Sequence, residues 1–377
     1  MIELTRAQFG ATEERHIAAA LASGAIGSGG PYTERAERFL SSLHHERRVL
    51  LTSSGTHALE LGARLLDLGP GDEVIVPSFT FVTTASAFAL AGVKPVFVDI
   101  RRDTLNIDPV AAAAAITPRT RAICAMHYGG VGAEPDRFAE LAASHGLFLV
   151  EDNAHGLTGR YKGEPLGTFG AWSILSFDSA KNVSCGEGGA LVVNDDSLAE
   201  RAQILLDKGT NRAAFRRGDV SQYTWVDLGS NWGLAEPLAA MLVAQFERID
   251  DIQRARHACW QRYETELSTW ADAYSVALPE VPADCEHTAH LFSMVLPTKS
   301  SRDALVAHLA TRGVQAAFHY QALHLSAVGQ RFGGTRGQCP VAEDVADTLV
   351  RIPIHNSLTE EEQTRVIDSL VSFDFTP

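Results

Sequence analysis

Lys181 stands on a loop after the apolar run Trp172–Ser176, and the glycine-rich turn Cys185-Gly186-Glu187-Gly188-Gly189 follows it. A lysine held in a tight, dry site loses its proton and becomes a nucleophile. On an open loop the same residue is only a solvated charge. Glu151 and Asp152 close another apolar run, Leu147–Val150. A carboxylate at the end of a buried strand is costly unless it is paired. It can bind a metal, act as a base, hold a protonated ring nitrogen or cap a turn, and His155 lies close enough in sequence to share its site. The segment Thr52-Ser53-Ser54-Gly55-Thr56-His57 leads from a strand into a helix. Its small residues would offer backbone N–H groups and hydroxyls to an anion, although Ser and Thr also serve as ordinary N-caps. In Pro77-Ser78-Phe79-Thr80-Phe81 an aromatic could cover a flat ring or simply fill the core.

Their order along the chain carries more than any one of them. An anion cup, an aromatic, an acidic strand end, then Ser176 and Lys181 ahead of a glycine turn are what a pyridoxal phosphate site needs. The phosphate wants a helix N-terminus, the ring a stacking face, the pyridine nitrogen a carboxylate and the aldehyde a lysine amine.

Short apolar runs alternating with helical patterns over the first 230 or so residues predict β-α-β units and a mainly parallel sheet. The expected strands are Val49–Leu51, Glu73–Val76, Pro95–Val98, Ala122–Met126, Phe148–Glu151, Trp172–Ser176 and Gly189–Val193. The expected helices are Thr33–Leu43, Thr56–Leu66, Thr83–Leu90, Asp108–Ala115, Asp136–Ser144 and Asp196–Asp207. All four clusters then fall at strand ends, where ligands bind in open α/β sheets. One long helix is expected from Leu234 to about Leu267. A smaller part follows, with a strand at His290–Leu296, a helix at Arg302–Arg312, a loop from Phe318 to Gln338 and a last helix from Thr359. The expected division is a large domain, 1–245, whose first residues pack on the small one, and a small α+β domain, 246–377.

The chain has 377 residues, 45% of them hydrophobic and 21% charged, and a formal net charge of −14. An acidic protein of this size is not built to grip nucleic acid or an anionic membrane. The five cysteines include no C-x-x-C pair, and scattered single cysteines suit a reducing compartment, so a cytoplasmic enzyme is expected. His287 and His290 have helical ligand spacing but no third ligand nearby in sequence, and no metal site is expected.

With these segments in hand, the sequence resembles the DegT/DnrJ/EryC1/StrS sugar aminotransferases. The matching stretches are LTSSGTHALELGARLLDLGPGDEVIVPSFTFVTTASAFALAGVKPVFVDI, MHYGG, EDNAHG, YKGEPLGTFG, SFDSAKN with CGEGGA, and LGSNWGLAE. Within that family, DKGTNRAAFRRGDVSQYTWVDLGSN and AFHYQALHLSAVGQRFG look most like the dTDP-4-amino-4,6-dideoxygalactose transaminases. The resemblance implies the fold-type I architecture of pyridoxal-phosphate aminotransferases, a mostly parallel sheet flanked by helices plus a smaller C-terminal domain. It implies that Lys181 holds the cofactor's aldehyde and then shuttles the proton, and that Asp152 pairs with the pyridinium nitrogen. His155 would lie near the ring hydroxyl and Phe81 on the ring face. Gly55, Thr56 and Ser176 would contact the phosphate, and Asn231 would reach it from a partner subunit in a homodimer with shared sites. His319, Tyr320 and His324 match a loop near the sugar, and Lys208 and Arg212 belong to a second substrate-side segment that also holds Arg216 and Arg217.

The expected reaction carries an amino group from L-glutamate to a nucleotide-linked 4-keto-6-deoxyhexose. The alternatives are transfer at C3 and a non-catalytic cofactor-binding regulator. The dehydratase branch of the family carries His where Lys181 stands. Three departures from the family pattern are Asp178 in place of a usual His, Gln321-Ala322 where a proline is usual, and Gly233 in place of a basic residue.

Overall fold

The computed structural model describes residues 1–374. The last three residues of the expected small domain lie outside the described residues. Strands β1 (Arg48–Thr52), β2 (Glu73–Pro77), β3 (Lys94–Val98), β4 (Thr120–Met126) and β5 (Phe148–Asp152) come first. After the short β6 (Arg160–Tyr161) and β7 (Glu164–Pro165) come β8 (Trp172–Ser176) and β9 (Gly189–Val193). Seven of these form one sheet in the order β1-β9-β8-β5-β4-β2-β3. Neighbours from β8 across to β3 are parallel, while β9 runs antiparallel to both β8 and β1. Buried on both faces, these strands read as continuous apolar runs, and every residue of β2 and β9 is buried.

The helices start and stop on local signals. Ser54 accepts a hydrogen bond from the His57 N–H and caps the helix Gly55–Leu65. Asp108 caps Pro109–Ala114 through the Val110 N–H. Gly146, in the left-handed region, ends Pro135–His145.

The second part contains β10 (Cys285–Glu286), which joins β6 and β7, and the antiparallel pair β11 (Phe292–Val295) and β12 (Leu349–Ile352). Its core gathers Trp260, Tyr263, Leu267, Phe292, Met294, Leu305 and Val366. The first residues of the chain belong to this part. The Ile2 N–H donates to the Gly313 carbonyl (2.7 Å), the Gln315 N–H to Ile2 (2.9 Å) and the Ile354 N–H to Leu4 (3.2 Å).

Several elements differ from expectation. The long helix is two, Glu236–Phe246 and Ile249–Tyr274. Arg248 leaves helical geometry at φ −127°, and its guanidinium turns to Glu13 (3.2 Å) and the Gln8 carbonyl. Ile249 and Ile252 still pack in the core with Leu242 and Phe246, whereas Trp260 and Tyr263 on the same helix pack in the second part's core. Asp196–Asp207 opens with a 3₁₀ turn, because Asp195 accepts from the Ser197 N–H, and the α-helix runs only from Ala199 to Leu206. A helix at Ala11–Ala22 and a short one at Arg212–Arg217 carried no clear sequence signal. The expected loop 318–338 holds a 3₁₀ turn and the short helix Ala327–Arg331.

Candidate active site

Along β5 side chains alternate between faces, so Glu151 and Asp152 part company. Glu151, on the central strand of the sheet, is fully buried. It accepts from the backbone N–H groups of Gly167, Phe169 and Gly170 and lies 3.0 Å from Nε2 of buried His127. That is a capping role. Asp152 faces a cavity of about 370 Å³, accepting from the Thr84 hydroxyl (2.6 Å) and the Ala154 N–H (3.2 Å).

The cavity opens at the carboxyl ends of β1, β5 and β8 and is closed from the other side by β12 and the 318–320 segment. Ser54, Gly55 and Thr56 present the start of the helix Gly55–Leu65 to it. Two close approaches hold this corner. A Cβ on Gly55 would fall 2.9 Å from the Ser176 Cβ, and one on Gly189 would fall 2.5 Å from the Gly55 nitrogen. Only glycines let β9 and Ser176 come so near the helix start.

Lys181 and Asp178 lie on the loop between β8 and β9 and line the same cavity. Burial pushes the Lys181 amine from its usual 10.5 down to about 8. The carboxylates of Asp152 and Asp178 pull it back up, and Arg351 pushes it further down. At pH 7 about a tenth of this amine is then unprotonated and nucleophilic, far more than at its usual pKa.

His155 is packed beside His290, with ring centroids 4.1 Å apart. Burial first, and then the charges around it, hold its pKa well below the usual histidine value. The ring is therefore neutral. Its Nδ1 accepts from the Gly129 N–H (3.2 Å), which puts the proton on Nε2, 3.4 Å from the Tyr320 hydroxyl. His319 and Tyr320 both line the cavity, and His319 Nδ1 is 3.1 Å from the Tyr128 hydroxyl. Phe81, 50% exposed, lies at the cavity wall with its ring 6.1 Å from that of Tyr320.

The structure thus brings together Gly55, Thr56, Phe81, Asp152, His155, Ser176, Lys181, His319 and Tyr320. It does not bring in His324, Lys208, Arg212 or Asn231. His324 is fully buried behind the wall, with Nδ1 2.6 Å from the Ser78 hydroxyl and Nε2 3.0 Å from Glu343. Lys208 and Arg212 both turn to Asp207, at 2.8 and 3.8 Å, and Arg217 to Asp219. The basic segment is therefore partly neutralised where it stands. Asn231 lies on the exposed surface, bridged to Asp207.

Sequence reasoning missed Thr84, His290 and Arg351. Arg351 had a signal: it interrupts the apolar run Leu349-Val350-Arg351-Ile352 of a buried strand. His290 donates from Nδ1 to the Asn182 amide oxygen (2.9 Å), while the Asn182 amide nitrogen donates to Thr288. Among the described residues no group of three or more His, Cys, Asp or Glu is placed to hold a metal ion. No helix among them is long and apolar enough to cross a membrane.

The donors present fit pyridoxal phosphate. A helix start and a hydroxyl suit the phosphate, and Asp152, held by Thr84, suits a pyridinium nitrogen. A lysine with a weakened hold on its proton suits the aldehyde.

Residues 8–371 match the model of the DegT/DnrJ/EryC1/StrS aminotransferase family. The spore coat polysaccharide biosynthesis protein SpsC of Bacillus subtilis is 31% identical over 370 residues, covering 96% of this chain and 94% of SpsC. The structure of S. venezuelae DesV in complex with a ketimine intermediate superposes with a TM-score of 0.87 at 34% identity, covering 95% of this chain and 93% of DesV. The putative sugar aminotransferase Spr1654 of Streptococcus pneumoniae, in its PLP form, gives 0.91 at 25% identity over 98% of each chain.

Proposed function

The chain belongs to the DegT/DnrJ/EryC1/StrS aminotransferase family and is a pyridoxal-phosphate-dependent sugar aminotransferase; we propose that it moves an amino group from L-glutamate to C4 of a dTDP-linked 4-keto-6-deoxyhexose. The observation that carries this reading is the Lys181 amine, lowered to about 8, in one cavity with Asp152 and the helix start at Gly55. When bound, pyridoxal phosphate supplies the aldehyde that takes the amino group and the ring that accepts the electron pair left at the donor's carbon.

The chain's own residues do the rest. The Lys181 amine would take the proton from the donor's α-carbon and return it two bonds away, across the nitrogen, at the carbon that carried the aldehyde, and it would run the same transfers in reverse for the acceptor sugar. A single residue can serve both halves because the fold keeps its amine partly unprotonated. Asp152, oriented by the Thr84 hydroxyl, keeps the ring nitrogen protonated. Gly55, Thr56 and Ser176 would hold the phosphate, and neutral His155 would lend its Nε2–H to a polar group of the ring. His319 and Tyr320 bound the sugar's space.

The working unit in this reading is a homodimer in which Asn231 serves the partner's phosphate site. An exposed apolar surface supports it, since Leu90 (70%), Trp225 (69%) and Leu228 (64%) share one shallow groove. Lys208 and Arg212 lie on the segment next to Asn231 and would face the nucleotide across that interface.

The test is incubation with dTDP-4-keto-6-deoxyglucose, L-glutamate and pyridoxal phosphate, with NMR of the product. A 4-amino-4,6-dideoxyhexose with one stereochemistry at C4 is expected. An amine at C3, or no amino sugar at all, would reject the assignment.

A further inference from the structure

A serine, a histidine and a glutamate stand in line behind the cavity wall. The Ser78 hydroxyl lies 2.6 Å from His324 Nδ1, and His324 Nε2 lies 3.0 Å from Glu343 Oε1. A carboxylate accepts, so Nε2 carries a proton there, and with one proton on the ring Nδ1 is left to accept from the Ser78 hydroxyl. In an open cleft such a line activates a nucleophile. Here Ser78 and His324 are both fully buried, and no substrate reaches the hydroxyl. Sealing an imidazole from water is costly, and its two bonds offset that cost. The use of this line is mechanical.

The three residues come from separate places. Ser78 follows β2, at the start of the turn that carries Phe81. Glu343 lies on the helix Pro340–Thr348, and His324 on a 3₁₀ turn shortly after Tyr320. The Leu323 N–H adds a second tie, donating to the Ser78 carbonyl (2.8 Å). The chain wraps this point so tightly that a Cβ on Gly329 would fall 2.0 Å from the Leu323 carbonyl oxygen, and one on Gly334 would fall 2.0 Å from that of His324. On the other side, Ala317 is paired with Arg351 of β12 by two backbone bonds, 2.8 and 3.2 Å. Residues 318–322 are therefore a strap with two pins, one on the second part and one on the turn after β2. His319 and Tyr320 sit between the pins and line the cavity. The Tyr320 ring lies 5.6 Å from that of Phe79 and 6.1 Å from that of Phe81, on the same turn as Ser78. A strap with one loose end would keep its rings but not their place.

We propose that His324 is a positioning residue for the acceptor sugar: its bond to Ser78 pins the strap and so fixes where His319 and Tyr320 meet the hexose. This rests on the reading of His319 and Tyr320 as the residues that bound the sugar's space.

Ser78→Ala and His324→Gln break the bond from either side, and the change in cofactor absorbance reads each half-reaction separately. Both variants are expected to weaken half-saturation of the pyridoxamine form by dTDP-4-keto-6-deoxyglucose roughly tenfold. In Ser78→Ala, half-saturation of the pyridoxal form by L-glutamate should stay within about twofold. The double variant should be no worse than the poorer single by more than about twofold, because both changes remove one bond. His324→Asn, which keeps an acceptor near the place of Nδ1, should lose less than His324→Gln. Equal weakening of both half-reactions, additive losses, or unchanged sugar binding would overturn the proposal. Hydrogen exchange adds a readout that needs no turnover and no His324 variant. In Ser78→Ala the amides of residues 323–326 should exchange at least about tenfold faster, while that of Ala317, at the other pin, keeps its rate. Unchanged exchange at Leu323 would overturn the pin even if the His324 variants do not fold. If the unmutated pyridoxamine form is not converted by dTDP-4-keto-6-deoxyglucose, the functional reading fails instead, and exchange that still loosens at residues 323–326 alone tells the two failures apart.

Discussion

The pKa of Lys181 sets how the site responds to pH. It lies at about 8 in the folded chain and at its ordinary 10.5 in an unfolded one. Between those values the unfolded chain holds the extra proton, so the cofactor-free protein gains stability as pH rises from about 8 to about 10.5. Below about 8 the cost of charging the buried amine is fully present. The same equilibrium governs reactivity. Uptake of pyridoxal phosphate by the cofactor-free protein, followed by absorbance, should speed up roughly tenfold per pH unit up to about 8 and then level off. Asp178 raises this pKa, so Asp178→Asn should move the inflection to lower pH; an inflection that moves up would contradict the geometry. Lys181→Ala should lower kcat by at least about a thousandfold, and a steady-state assay that finds near-normal turnover would remove Lys181 from the chemistry. Asp152 was legible in the sequence because a charge at the end of an apolar strand is conspicuous, and Lys181 because it precedes a glycine-rich turn and falls in the order of clusters a cofactor site needs. Thr84 was not, since a threonine in the small, mostly apolar helix Val82–Leu90 carries no mark of the carboxylate it will meet.

At the scale of elements, the corner where β9 and Ser176 meet the helix Gly55–Leu65 is the tightest constraint on the site. Gly55→Ala would press on the Ser176 side chain at 2.9 Å. It should leave the protein folded while weakening pyridoxal phosphate roughly tenfold in an absorbance titration. Gly189→Ala meets backbone rather than a side chain, with Ser54 and Gly55 atoms at 2.5 Å. It should cost about 1–3 kcal/mol in a denaturant melt, because neither element can yield without moving the other. The strand and helix order could be read from periodicity, since apolar runs of strand length and amphipathic stretches differ in period. The break at Arg248 could not. It comes from a partner in the first helix, Glu13, that is 235 residues away in sequence by their numbering. The position of the basic segment outside the cavity could not be read either, because Lys208 and Arg212 turn to Asp207, and Arg217 to Asp219.

At the scale of the molecule, the proposed dimer predicts complementation. Lys181→Ala chains and Asn231→Ala chains, each poorly active alone, should regain activity when mixed and allowed to exchange, because a mixed dimer holds one site with both residues intact. Mixing without recovery would separate Asn231 from the partner's site. The pairing of Ile2 and Leu4 with residues 313–315 and 354 has a different consequence, for the order in which the protein is made. Ile2 and Leu4 are synthesised well before the part they dock on, 311 positions earlier for Leu4 and Gln315. Until that part emerges, the segment holding Ile2 and Leu4 must wait without these partners while the large sheet completes behind it. A tag or deletion at the first residues should therefore loosen the carboxyl-terminal part and leave the large sheet intact, a polarity that limited proteolysis of the tagged protein would reveal.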